Sequence, residues 1–257
     1  MNKERYYIAT RGTDDEAYQE AIDFAASLYN QMPDIRQVTL LISNKDQVGW
    51  FDRLLGPRIV KQLFSGFRLK EDSEALYKFE TVKTYPRSRP PGFEIIIACG
   101  LYDDELALAD DARSVKVIIA VPWTPETVRG WLERWNPIDL RSNTTSHVSL
   151  REPSCIVKVA MQELTQSINR STGITHFADE RLAKTFILAL HQYGSALEAA
   201  TVSSYLVREL GWSTEHAKDV EQLVHALNTG KQFKAVNTNL QFYYRQWQDA
   251  CASGETM

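Results

Sequence analysis

Apolar positions in the first half of the chain fall into short runs, each leading through a polar turn into a stretch with helical spacing. Residues 6–10 (Tyr-Tyr-Ile-Ala-Thr) pass into Arg11-Gly12-Thr13-Asp14-Asp15-Glu16. In the segment that follows, to about residue 29, Ala17, Ala21, Phe24, Ala25 and Leu28 recur at intervals of three and four. This spacing predicts a strand, a glycine turn and a helix, with Thr13 or Asp14 as cap and the acids of the first turn facing the positive end of the helix dipole. A second strand is predicted over 38–42, ending at Ser43-Asn44-Lys45-Asp46, with helical segments near 48–55 and 57–64; Pro57 opens the later one.

Residues 79–85 alternate less cleanly and carry Lys83, which suits an edge strand. The link from Pro86 to Gly92 is short for a parallel crossover, so either this strand is antiparallel or the chain crosses without a helix. Residues 94–99 are apolar at nearly every position and predict a strand covered on both faces. They end at Gly100-Leu101-Tyr102-Asp103-Asp104-Glu105, the start of a helix to about residue 112. A fifth strand, 116–121, precedes Pro122-Trp123-Thr124-Pro125, where Thr124 caps a helix carrying Val128, Trp131, Leu132 and Trp135 on one face.

Strands and helices alternating in this way predict a Rossmann-like, three-layer α/β fold with a mostly parallel five-stranded sheet. Ligands of such sheets bind beyond the carboxyl ends of the strands, where strand order reverses. With the order 3-2-1-4-5, that crevice lies between the first and fourth strands. Its rim would comprise Thr10, Arg11, Gly12 and Thr13 on one side and Cys99, Gly100 and Tyr102 on the other, with Ser43, Asn44 and Trp123 contributed by neighbouring strand ends.

The second half reads differently. A polar stretch, 139–153, is expected to be a linker between a domain at 1–138 and an all-helical domain at 154–257. Helices are predicted near 154–169, 179–193, 199–210, 214–228 and 239–250, with Gly194, Gly211 and Gly230 where a left-handed residue would end a helix. The pair joined at Leu210-Gly211-Trp212-Ser213 has the turn of a helix-turn-helix. Its second helix begins Thr214-Glu215-His216-Ala217-Lys218-Asp219 and continues with Glu221, a poor set for facing phosphates.

Composition adds constraints. With 44% apolar and 24% charged residues, the chain has the make-up of an ordinary globular protein. Its longest apolar runs are strand-length, so no membrane span is expected. The amino-terminal residues lack the apolar stretch of a secretory signal, and the three cysteines, Cys99, Cys155 and Cys251, form neither a disulfide framework nor a metal-ligand spacing. A cytoplasmic protein with reduced thiols is the expectation. Residues 1–138 carry 18 basic and 21 acidic side chains and residues 139–257 carry 11 and 12, so neither half has the charge of a nucleic-acid binder.

No motif singles out a reaction. Thr10-Arg11-Gly12-Thr13 suits an anionic group at a helix N-terminus, but lacks the glycine pattern of a dinucleotide or P-loop site. Cys99 has the strand-end position of a nucleophile, yet all five histidines lie at or beyond residue 147, which favours a buried hydrophobe instead. The cluster Ser171 to His176, with Asp179, reads as a helix junction, and Arg87-Ser88-Arg89 as a solvated basic loop. Two function classes compete: a non-catalytic binding or sensor protein for a nucleotide or other anionic metabolite, whose helices contact a protein partner or a second copy, and a nucleic-acid-associated regulatory or accessory protein. A hydrolase or transferase using carboxylates such as Asp14 or Asp103 is a third reading. No cofactor or metal is specified.

Overall fold

Strands whose side chains are apolar at consecutive positions occupy the middle of the sheet, because only there are both faces covered. The computed structural model describes residues 3–69, 74–85, 94–145, 152–194, 197–233 and 239–253. By its contacts the chain divides into two units, Met1–Ser149 and Leu150–Met257. The first is an α/β unit. Its strands are β1 (Glu4–Tyr7), β2 (Gln37–Ile42), β3 (Phe67–Arg68), β4 (Leu76–Thr81), β5 (Glu94–Cys99), β6 (Val115–Val121), β7 (Ile138–Asp139) and β8 (Thr144–Thr145). Its helices are α1 (Asp15–Gln31), α2 (Gly49–Leu55), α3 (Pro57–Leu63), α4 (Asp103–Asp111) and α5 (Arg129–Trp135).

The strands form one mostly parallel sheet in the order β3-β4-β2-β5-β6-β1-β7-β8. Only the short outer pairings, β3 with β4 and β7 with β8, are antiparallel. Every residue of β2 and β5 is buried. Since successive side chains on a strand point to opposite faces, Leu40, Ile42, Ile95, Ile97, Val117 and Ile119 pack with residues of α1, α2 and α3. Leu41, Ile96, Ala98, Ile118 and Ala120 pack with α4 and α5 on the other face.

Several expectations are corrected. The sheet has eight strands rather than five, and the first strand lies beyond the last of the expected five, between β6 and β7, instead of beside the fourth. The crossover through α1 therefore spans β6 and β5 before the chain re-enters the sheet at β2. The physical reason is visible in β1 itself: Glu4 is exposed and Arg5, Tyr6 and Tyr7 are half-buried, so this strand does not suit a doubly covered central position. β4 begins and ends earlier than the predicted 79–85, Lys83 lies in the turn after it, and it runs parallel to β2. Residues 139–145, read as linker, belong instead to the β7–β8 hairpin at the sheet edge. The basic loop at Arg87–Arg89 and His147 lie outside the described residues.

The second unit is helical: α6 (Cys155–Ser167), α7 (Phe177–Tyr193), α8 (Ala199–Arg208), α9 (Thr214–Asn228) and α10 (Leu240–Ser253). All residues of α8 from Thr201 to Val207 are buried, which makes α8 the internal helix of this unit. Trp247 of α10 is fully buried, meets Phe186 of α7 in a T-shaped contact with ring centroids 4.9 Å apart, and donates its indole N–H to Glu163 Oε2 of α6 at 2.6 Å. Cys155 and Cys251 form a disulfide between α6 and α10, which corrects the expectation of three reduced thiols. Gly211 and Gly230 are left-handed as expected, whereas Gly194 is extended.

Candidate functional site

The carboxyl ends of the central strands are largely filled. Between β2 and β5, whose connections leave in opposite directions along the sheet, Glu105 of α4 accepts the Ser43 hydroxyl in a short hydrogen bond and the Tyr102 main-chain N–H at 3.1 Å. Asn44 turns away to accept the Asp46 N–H at 2.9 Å. Between β5 and β6, Trp123 lies over Gly100: a Cβ added there would stand 3.0 Å from its indole nitrogen. Trp123 also packs against Trp50 in a T-shaped contact, ring centroids 4.0 Å apart. Cys99 is fully buried among the α1-side core residues, its Sγ–H directed to Ile97 O, and burial pushes its thiol pKa upward. It is a core side chain and not a nucleophile open to solvent.

An open cleft remains on the α1 side, beyond β1 and β6. Thr10, Arg11, Thr13, Asp14, Asp15 and Glu16 line it together with Arg53, Pro125 and Arg141, around about 720 Å³ of space. Main-chain pairing continues past β1 and fixes the loop that lines it: Ile8 N–H donates to Ala120 O at 2.9 Å and Gly12 N–H to Trp123 O at 2.7 Å. Thr10 is buried and donates its hydroxyl to Pro122 O in a short bond. Gly12 has φ of 88°, the left-handed region, which lets the chain reverse from this pairing into the cap of α1.

Charges in the cleft are paired. Asp14 caps α1 by accepting the Ala17 N–H at 3.0 Å and meets Arg141 Nη1 at 3.0 Å. Burial opposes ionisation of Asp14, but these two donors outweigh it and hold its carboxyl below the usual range. Arg141 also donates to Ala9 O at 3.1 Å and to both oxygens of Glu20, and the Glu20 bonds lead in raising its pKa. Arg53 holds Asp15 through both carboxylate oxygens at 2.8 and 2.6 Å, keeping that carboxyl low. Arg11 is exposed beside Glu126, whose carboxylate feels its charge.

The structure thus brings together Thr10, Arg11, Gly12 and Thr13 of the expected rim, and separates them from Ser43, Asn44, Cys99, Gly100 and Tyr102. The inserted strand β6 accounts for the separation. Trp123 is not among the residues lining the cleft: its carbonyl accepts the Gly12 N–H while its ring lies over Gly100. Arg53 and Arg141 were missed. Arg141 sits in the stretch read as linker and meets partners more than a hundred positions away, so no local pattern pointed to it.

The carboxylates considered for chemistry act as helix caps. Asp103 accepts the Gly130 and Trp131 N–H groups at 3.0 and 2.8 Å, joining α4 to the start of α5. Among the described residues, no group of three or more His, Cys, Asp or Glu side chains is placed to hold a metal ion. In the helical unit His176 caps α7, its Nδ1 accepting the Ala178 N–H at 3.4 Å. Ser213 caps α9, whose exposed positions include Glu215, Lys218, Gln222 and His225. No described helix is long and apolar enough to cross a membrane.

Residues 153–248 are similar to a family described as a domain of unknown function, DUF1889, so the matched segment falls within the helical unit. No curated protein and no solved structure matches the chain.

Proposed function

We propose that the α/β unit binds a small hydroxylated anion, a nucleotide or sugar phosphate, in the cleft beyond β1 and β6, without performing chemistry on it, and that the helical unit carries the contacts to a partner. The observation that carries this reading is the lining of the cleft. Arg11 stands exposed there at the start of α1, and Arg53 and Arg141 line the same cleft already paired with Asp15 and with Asp14 and Glu20; guanidinium groups are suited to phosphate oxygens. Glu16 in the same lining is an acceptor for sugar hydroxyls, which a bare inorganic anion would not offer. A binding role is preferred to a reaction because Asp14 and Asp103 are engaged as caps and Cys99 is buried.

The nucleic-acid reading gains no comparable support, since the exposed side chains of α9 set Glu215 against Lys218 and leave no net positive face. The test is a thermal-shift screen of the full chain against nucleotides, sugar phosphates and dinucleotides. At least one is expected to raise the melting temperature, and Arg11→Ala is expected to abolish that rise while leaving the unliganded melting temperature unchanged. A screen in which no compound stabilises the protein, or an Arg11→Ala variant that responds as the parent does, defeats the reading.

A further inference from the structure

The helical unit contains a cavity of its own, remote in chemistry from the arginine-lined cleft. It is walled by the start of α6, the end of α7, the start of α8 and one residue of α10, and has a volume of about 280 Å³. Sites for drug-sized ligands run from roughly 300 to 1,000 Å³, so this space suits a smaller molecule. Its inner surface is aliphatic, with Ile156, Leu190 and Val202 contributed by three different helices. At its open rim stand two exposed carboxylates, Glu152 and Glu198, and its lining contains no basic side chain.

The two carboxylates differ. Glu152 is paired with Lys158 at 2.7 Å. Glu198 accepts the Thr201 hydroxyl at 3.0 Å and, among the described residues, has no basic partner. Tyr244 supplies an aromatic wall, and the position of its ring depends on Gly194, where a Cβ would stand 3.3 Å from the ring edge and 2.6 Å from Leu190 O. Tyr193 supports the same ring from outside the cavity, centroids 5.9 Å apart.

We propose that this cavity is a binding site for a small hydrophobic primary amine. The chemistry selects each part of such a molecule. An aliphatic pocket gains from removing a hydrocarbon body from water, the Glu198 carboxylate accepts a charge-assisted hydrogen bond from an ammonium, and a tyrosine ring attracts the same cation. A carboxylate or phosphate of equal size meets the carboxylate of Glu198, while the neighbouring cation, Lys158, is already paired with Glu152. A neutral alcohol keeps the apolar contact but forgoes the charge. The segment similar to the domain of unknown function contains every lining residue of the cavity except Glu152, so the site is a property of that segment.

Isothermal titration calorimetry of the full chain with phenethylamine, 2-phenylethanol and 3-phenylpropionate tests the proposal. Phenethylamine is expected to bind saturably, the alcohol about tenfold more weakly, as for loss of a hydrogen bond to a charged group, and the carboxylate more weakly still. Glu198→Gln keeps the size of the side chain and is expected to lower phenethylamine affinity about tenfold while leaving the alcohol unaffected. Val202→Trp, which fills the cavity, is expected to remove binding of both. Should that variant fail to fold, as judged by circular dichroism, the Glu198→Gln comparison decides alone. Equal binding of all three compounds, no saturable heat from phenethylamine up to millimolar concentration, or an unchanged amine affinity in Glu198→Gln overturns the assignment.

Discussion

In the α/β unit, residues far apart in sequence are joined by main-chain hydrogen bonds: β1 pairs with β6, Glu4 opposite Val117, and β2 pairs with both β4 and β5. In the helical unit the main-chain bonds within each helix reach only four residues along the chain, so distant elements are tied by side chains. Trp247 reaches Glu163, Trp212 donates to Thr165 Oγ1 at 2.9 Å, Asn228 donates to Leu197 O at 2.8 Å, and Cys155 is bonded to Cys251. A sheet distributes its long-range order over many equivalent bonds. A helical bundle concentrates it in a few side chains, each of which matters more.

The sharpest challenge to that contrast is the disulfide. It links residues 96 positions apart, and a closure of that length stabilises by about 4.7 kcal/mol on the chain-entropy account. Reduction, or Cys251→Ser, is therefore expected to accelerate hydrogen exchange across α6 and α10 and to leave the amides of β2 and β5 unchanged; acceleration throughout the sheet would break the contrast. Ile97→Ala is the converse probe. It removes a fully buried side chain from the centre of the sheet, at a cost of about 3 kcal/mol, and its effect on exchange is expected to be confined to residues 3–145.

A third measurement concerns Lys3, whose Nζ reaches the carbonyls of Ala109, Asp110 and Ala112 at the end of α4. Burial pushes its pKa down to about 8 from 10.5, although Asp110 pulls it up. Between those values the unfolded chain binds more protons than the folded one, so stability rises with pH, by about 2 kcal/mol between about pH 7 and pH 10. Denaturant titrations at the two pH values are expected to show this rise in the parent and a flatter response in Lys3→Met. An identical rise in both would remove Lys3 as its source. The smallest effect is expected at Gly100, where φ is 60° and Trp123 is close. Gly100→Ala is expected to cost about 1 kcal/mol and to change Trp123 fluorescence; an unaltered emission would mean that the ring is not held over this position.

Element type was legible wherever a local pattern carried it. The apolar runs at 38–42 and 94–99 are buried strands, and Asp14, one of the two expected caps, stands at the start of α1. The candidate site was legible only as one loop. Thr10, Arg11, Gly12 and Thr13 are contiguous, so their proximity follows from the chain itself, whereas Arg53 and Arg141 reach the cleft through contacts between distant elements. The opposing residues failed because their place depended on strand order, and Glu4 and Arg5 in β1 were the one available warning that this strand is not central.

From its residues alone, the chain determines an apolar-strand and amphipathic-helix pattern in its first half and an amphipathic helical pattern in its second, because periodicity and capping act over a few neighbouring positions. Tertiary structure decided that β6 separates β1 from β5, that Trp123 and Glu105 fill the strand ends, and that Cys155 meets Cys251. The reason is physical: neighbours within an element are dictated by chain connectivity, while neighbours between elements are selected by burying many side chains at once, a choice that no short stretch of sequence encodes.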